Sequence, residues 1–305
     1  MIKGLAITPP TLGRISIGKI VEKNGKRMPE KDDQFTITTQ VQNKEGWIPH
    51  PYDDDLRKTQ DNHKIRSIPI RLLFNEPDLN LRAEYCLFDR QNGRPLCTGN
   101  GETCRRYTAS GMVTLPCPSP DSCELAKSGC KPYGRLNVRI GEEEDDLSTF
   151  IFRTTGFNSI RTLTARLHYY QAVSGNLLAC LPLALRLRAK TTFMSHRTPI
   201  YYADITVRDE QTLKEAIANA RELHNTRLAA GYDQVALDAA GIQGFSNGAF
   251  EDSEEEIPEI VEEFFPGADG SNGDNNVTET AVVKAKPSLK DKLDRKATDL
   301  GDKAA

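Results

Sequence analysis

Through the first 250 residues, apolar positions recur in two rhythms, and the two seldom overlap. Short runs alternate with period two, the signature of half-buried strands. "QFTITTQV" (34–41) is the clearest. "RSIPIRLLFN" and "LNLRAEYCLFD" read as two strands separated by Asn75, Glu76, Pro77 and Asp78, a turn cluster that predicts a hairpin. "GRLNVRI" and "STFIFRTTG" form a second such pair around the acidic loop "GEEEDD", and "LPLALRLRAKTT" and "PIYYADITVR" add two more strands.

The helical rhythm appears twice at length. In "NSIRTLTARLHYYQAVSG", Asn158 or Ser159 is the expected cap, Ile160, Leu163, Leu167 and Tyr170 share a face, and Gly175 closes the helix. In "TLKEAIANARELHNTRLAAG", the face comprises Leu213, Ile217, Ala220, Leu223 and Leu228. No internal repeat is present. The pattern predicts an α+β fold over residues 1–249, with a mostly antiparallel sheet and two main helices.

After "GIQGFSNGAF" the rhythm stops. From Glu251 to Val283 there are eleven acidic residues and no basic one; the last stretch, Lys284 to Ala305, has seven basic and four acidic. The formal net charge of −3 therefore hides a basic folded part and an acidic tail. So little apolar area cannot offset ordering entropy, and residues 250–305 are expected to be disordered, with a transient helix over "PSLKDKLDRKATDL". Within the tail, "EEEIPEIVEEFFPG" sets Ile257, Ile260, Phe264 and Phe265 among acids. Such a segment suits a basic, apolar pocket on a partner or on the protein's own surface; its plain alternative is a solubilising tail.

The longest apolar run, Leu177 to Leu185, is half of what a bilayer crossing needs, and Arg186 and Arg188 follow it. Two prolines interrupt the N-terminal stretch where a secretory signal would need an apolar centre. Both features point to a cytoplasmic, reducing setting, in which thiols bind metal or stay free.

That setting sharpens the reading of the cysteines. Cys104, Cys117, Cys123 and Cys130 lie among Pro116, Pro118, Pro120 and Gly129, which supply the tight turns that bring four thiolates together around a tetrahedral zinc. A zinc-binding insertion over about 97–135 is expected, with Cys97 as substitute ligand and no open coordination position for catalysis. Cys86 and Cys180 sit in apolar runs and read as small core residues.

A second constellation is cationic. Arg153, Arg161, Arg166, Arg186, Arg188 and Lys190, with Arg197 and Arg208 beyond them, are accompanied by a single acid, Asp204, and interleaved with tyrosines. Arginine forks and aromatic faces suit nucleic acid, whereas alternation of Arg186 and Arg188 with Leu185 and Leu187 suits an ordinary half-exposed strand. The acidic runs at 53–55 and 142–146 could hold a divalent ion but read more simply as solvated loops. The five histidines are scattered, "GNGET" lacks the lysine of a phosphate loop, and no catalytic triad pattern appears.

Several blocks taken together, among them "IPIRLLFNEPDLNLRAEYCLFD", "GNGETC", "CKPYGRLNV" and "FRTTGFNSIRTLTARL", resemble the recombination directionality factor-like proteins of temperate phages and integrative elements. Relatives in genomic islands often carry the label hydrolase or metal-binding protein. The resemblance spans roughly residues 1–245. It implies a non-enzymatic accessory factor that binds a site-specific recombinase (an integrase), with DNA as an optional second partner, and switches it from integration to excision. It also implies Cys104, Cys117, Cys123 and Cys130 as zinc ligands, no catalytic residue, and no small-molecule substrate. The rival expectations are a protein that binds single-stranded or duplex DNA directly, and a metal-dependent hydrolase.

Overall fold

Alternation builds most of the molecule. In the computed structural model, which describes residues 10–23, 26–43, 46–90, 93–141, 148–191 and 198–247 together with Ile260 and Phe264, twelve strands join in one sheet. They are β1 (Thr11–Lys23), β2 (Lys26–Asn43), β3 (Gly46–Pro49), β4 (Ser67–Arg71), β5 (Leu81–Phe88), β6 (Pro95–Gly99), β7 (Thr103–Thr108), β8 (Gly111–Pro116), β9 (Lys131–Ile140), β10 (Thr149–Thr154), β11 (Leu183–Lys190) and β12 (Ile200–Val207). The main path runs β3-β2-β1-β10-β9-β5-β6-β7-β8, and β4 links β9 to the β11–β12 ribbon. Only β1 and β10 are parallel among these strand pairs. The helices are α1 (Pro51–Thr59), α2 (Pro77–Asn80), α3 (Ser119–Ser122), α4 (Phe157–Ser174), α5 (Leu213–Ala229) and α6 (Gln234–Asn247). The described residues all belong to one unit, Met1–Ala268; a second, Asp269–Ala305, lies outside them. The class is α+β, as the pattern predicts.

One sheet face is apolar. Ile15, Ile37, Leu81, Leu136, Val138, Phe150 and Phe152 present it to the core, where α4 contributes Leu163, Leu167 and Tyr170. Leu163 and Leu167 are fully buried, each worth about 1.5–3 kcal/mol relative to exposure. Gly134 on β9 lets the helix in: a Cβ there would stand 2.9 Å from Ile160. The β9–β10 hairpin forms as expected, and α4 ends at Gly175, whose φ of 68° is cheap for glycine. The helix begins earlier than the cap reading, at Gly156, because both expected caps are engaged elsewhere. Ser159 Oγ accepts from Ala203 N (3.0 Å) and Asn158 Oδ1 accepts from Lys190 Nζ (2.7 Å).

The hairpin expected between 66 and 89 does not form. Both β4 and β5 pair with β9, at Ile70↔Ile140 and Leu81↔Leu136. The supposed turn instead opens α2 with Pro77 at its start. Fully buried Asn80 then accepts from Leu73 N and Phe74 N and donates to Phe74 O, carrying the chain onward rather than reversing it.

On α5, the Thr212–Glu215 capping box fixes the start, and Ala216 and Ala220 are buried, but Leu228 is 55 % exposed and leaves the expected face. The unanticipated α6 seats Gly241 against Phe74 and Leu79 at distances a Cβ would violate. It also places Asp238 Oδ1 where Asn75 N and Gln234 Nε2 donate to it. No helix among the described residues is long and apolar enough to cross a membrane.

Candidate functional site

Three places gather the chemistry foreseen in the sequence. The first is the cysteine region, which is an extension of the sheet rather than a loop. β6, β7 and β8 continue it antiparallel beyond β5, with Gly111 turning the last hairpin at φ 106°. Cross-strand register puts Cys97, Gly99, Cys104 and Arg106 on one face, since Cys97 pairs with Arg106 and Gly99 with Cys104. α3 and the 3₁₀ turn at Glu124–Ser128 then bring Cys123 and Cys130 back, with Gly129 at φ 107°. Cys97 and Cys104 are buried beside Leu87, with Cys117 and Cys130 packed against them.

Gly99 marks where two thiols converge: a Cβ there would lie 2.7 Å from Cys104 Cβ and 2.8 Å from Cys117 Sγ. Burial, then the neighbouring thiols of Cys97, Cys123, Cys117 and Cys104, push the Cys130 thiol up to about 11. Burial and a hydrogen bond with Cys97 raise Cys104 as well, against the pull of Arg106. Cys130 thus senses the other four cysteines of the segment. Among the described residues, however, no three His, Cys, Asp or Glu side chains are gathered closely enough to hold an ion.

The second place is the edge of the β11–β12 ribbon. α4 lies along β12 there, and the backbone N–H groups of Ala203 and Ile205 donate to Ser159 Oγ and Asp204 Oδ1, so the open edge is sealed. Asp204, 4 % exposed, is gripped from both sides, by Arg166 at 3.0 Å and Arg188 at 3.3 Å. Arg186 bonds Thr206 and pairs with Asp209. Lys190 bonds Asn158 and stands over the Tyr202 ring. The foreseen cationic footprint therefore does not stay together. Arg166, Arg186, Arg188 and Lys190 share this edge in structural pairings, Arg161 is exposed on α4, and Arg153 lies on β10.

The third place is the sheet face opposite the core. Register aligns Arg82, Arg135 and Arg153 across β5, β9 and β10. Lys131 and Arg139 continue the row along β9, and Arg14 on β1 stacks over Trp47, 4.3 Å from the ring centroid. Glu84 is the one acid in the matching positions of β5, 3.8 Å from Arg82. At one end of this face Cys86, Phe88 and Tyr133 form a separate apolar cluster, and onto it pack Ile260 and Phe264 of the acidic tail, at 1 % and 3 % exposure. The Phe264 ring meets Phe88 at 4.6 Å and Tyr133 at 5.4 Å, both edge-on, with Lys131 Nζ 4.9 Å above it. Ile257, Phe265 and nearly all of the tail lie outside the described residues, as does the acidic run 142–146. Asp53 of the other acidic run is buried and structural, accepting from Ile37 N (2.8 Å) and Arg57 Nε (2.6 Å).

A match to the family described as recombination directionality factor-like (Gp3-like) spans residues 12–208, from β1 to the end of β12. The chain belongs to that family. The match takes in the cysteine extension, α4 and the ribbon edge, and stops short of α5, α6 and the tail. The family's name suggests a role in setting the direction of recombination. Comparison with curated proteins and with solved structures finds no match.

Sequence reasoning missed the arginine row. The signal for the row was present: Arg135, Asn137 and Arg139 alternate with Leu136 and Val138, which places three polar side chains on the face away from the core.

Proposed function

We propose that the protein is a non-enzymatic directionality factor of a mobile element, acting by binding the element's site-specific recombinase. Membership of the recombination directionality factor-like family over residues 12–208 carries this reading. The ribbon edge supports a protein partner over DNA as the primary target, because Arg166 and Arg188 share Asp204 and Arg186 is matched by Asp209, which lowers their value as phosphate clamps. A factor of this kind shifts a conformational equilibrium of its partner, and specificity resides in the protein surface. The test is a recombination assay with purified recombinase and paired DNA sites. Addition of the protein should favour excision over integration, and its retention on DNA should require the recombinase. Steeply salt-dependent DNA binding without recombinase, lost in Arg186→Ala/Arg188→Ala and unaccompanied by any change in direction, overturns it.

We also propose that a structural zinc holds the extension through Cys104, Cys117, Cys123 and Cys130, with Cys97 as the adjacent reserve donor. The donor chemistry fits: soft thiols share one patch, backed by a glycine, and the neighbouring thiols that help raise Cys104 and Cys130 would be drawn together by a divalent cation. Cys117→Ser should lose the metal and on the order of 3 kcal/mol of stability through metal-coupled folding. Full metal content and an unchanged melting curve remove that ligand. Zinc lost from Cys97→Ser instead promotes Cys97 to the set.

A further inference from the structure

The acidic tail meets the body of the protein at a built socket. Cys86, Phe88 and Tyr133 rise from β5 and β9 on the face away from the core, and they receive Ile260 and Phe264, spaced i and i+4 on helical backbone. Three rings, Phe88, Tyr133 and Phe264, meet edge-on, and Lys131 caps the Phe264 ring. To one side of the socket Arg82, Arg135 and Arg153 line up across three strands, and Glu84 stands opposite Tyr133 in the register. From Glu251 to Glu263 the tail carries eight acids and no base. Chain connectivity alone keeps Glu259 and Glu263 next to anchored residues, one Cα step of about 3.8 Å from each. Shape and charge agree: apolar anchors enter an apolar socket beside a basic row, and the sequence that flanks the anchors is acidic.

We propose that this socket is a docking site for an acidic helical segment with apolar anchors at i and i+4. The chain's own Ile260 and Phe264 fill it in cis as an exchangeable latch, and a partner's segment of the same chemistry takes its place. The inference goes beyond the directionality reading and does not depend on it. A tethered occupant competes at an effective concentration in the millimolar range, so the socket is closed to a free segment of equal affinity until the anchors are weakened. The rim charges set orientation and rate of encounter, and the aromatic anchor sets residence.

The experiment uses full-length protein and a fluorescent peptide of residues 251–266, read by anisotropy, with pulsed alkylation of Cys86 read by mass spectrometry. In wild type, Cys86 lies beneath the tail with no exposed surface, so its alkylation should be slow and peptide binding weak. Ile260→Ala/Phe264→Ala should bind the peptide at least about tenfold more tightly than wild type, alkylate Cys86 faster, and regain protection when peptide is added. Lys131→Glu keeps both anchors and should by itself speed Cys86 alkylation, which covers a double variant that fails to fold. A folded double variant with Cys86 still protected, or with no gain in peptide binding, overturns the proposal. So does a gain in binding to a duplex DNA oligonucleotide without a gain for the peptide, which would make the face a polyanion surface rather than a helix socket.

Discussion

Single residues decide whether this sheet can carry its extension. Gly99 is the sharpest case, because the volume its absent side chain would fill is already taken by Cys104 and Cys117. Gly99→Ala should cost more than about 1 kcal/mol by overpacking and lower metal retention at the same time, seen as a reduced melting temperature and less zinc per chain. A variant that melts like wild type with full zinc would show that the two cysteines can move apart freely. Asp33 illustrates a titrating contact. Its pairings with Lys64, above all, and Arg66 hold its carboxyl well below the usual range, tying β2 to the approach to β4. The unfolded carboxyl takes its proton near pH 3.8 whereas the folded one resists, so this stabilisation is present at neutral pH and drains away as pH falls below about 4. Asp33→Asn should flatten that part of the acid-unfolding profile and cost under about 1 kcal/mol at pH 7, as expected for a pair near the surface.

At the scale of elements, α6 depends on one buried carboxylate. Asp238 receives Asn75 N and Gln234 Nε2, yet burial, the larger influence, raises its pKa. A raised carboxyl favours folding most below its unfolded value and loses that advantage as pH rises. At pH 7 the charge is therefore a cost, and Asp238→Asn, which keeps an acceptor oxygen, should hold or raise stability by less than about 1 kcal/mol. A substantial loss in chemical denaturation would mean that the charge itself anchors α6. The sequence pattern reaches elements unevenly, for physical reasons. The β9–β10 hairpin and α4 are legible because alternation or helical period coincides with one buried face. β4 and β5 mislead because a turn signal specifies local bending, not strand pairing, and Asn80 redirects the chain through contacts no periodicity records. β7 and β8 hide because they bury little, Cys104 being their one buried residue and Tyr107, Met112 and Leu115 standing exposed, so no apolar face shows in the alternation. α6 has weak amphipathic order and owes its place to Gly241 meeting Phe74 and Leu79.

For the whole molecule, the cysteine extension and the main core are separate clusters with no shared buried residue. Removal of the proposed zinc should therefore loosen β6–β8 first. Hydrogen exchange after chelation is expected to rise in Cys97–Cys130 while β9, β10 and α4 stay protected, and uniform loss of protection would show one cooperative unit instead. The site was legible in the same divided way. Its cysteines announced themselves by residue type and turn context, whereas the basic face emerged only once register brought Arg82, Arg135 and Arg153 together from distant parts of the chain.

The parallel seam between β1 and β10 has a consequence for synthesis. Pro10 O accepts from Thr149 N, a partner 139 positions later in the chain. At roughly 5–20 residues per second, the first strands leave the ribosome on the order of ten seconds before the strand that closes their open side. During that wait Ile15, Phe35 and Ile37 have no β10 and no α4 to cover them. The nascent chain must carry an unshielded apolar surface for more than a third of its translation, making this a protein whose yield depends on what guards it while it is being made.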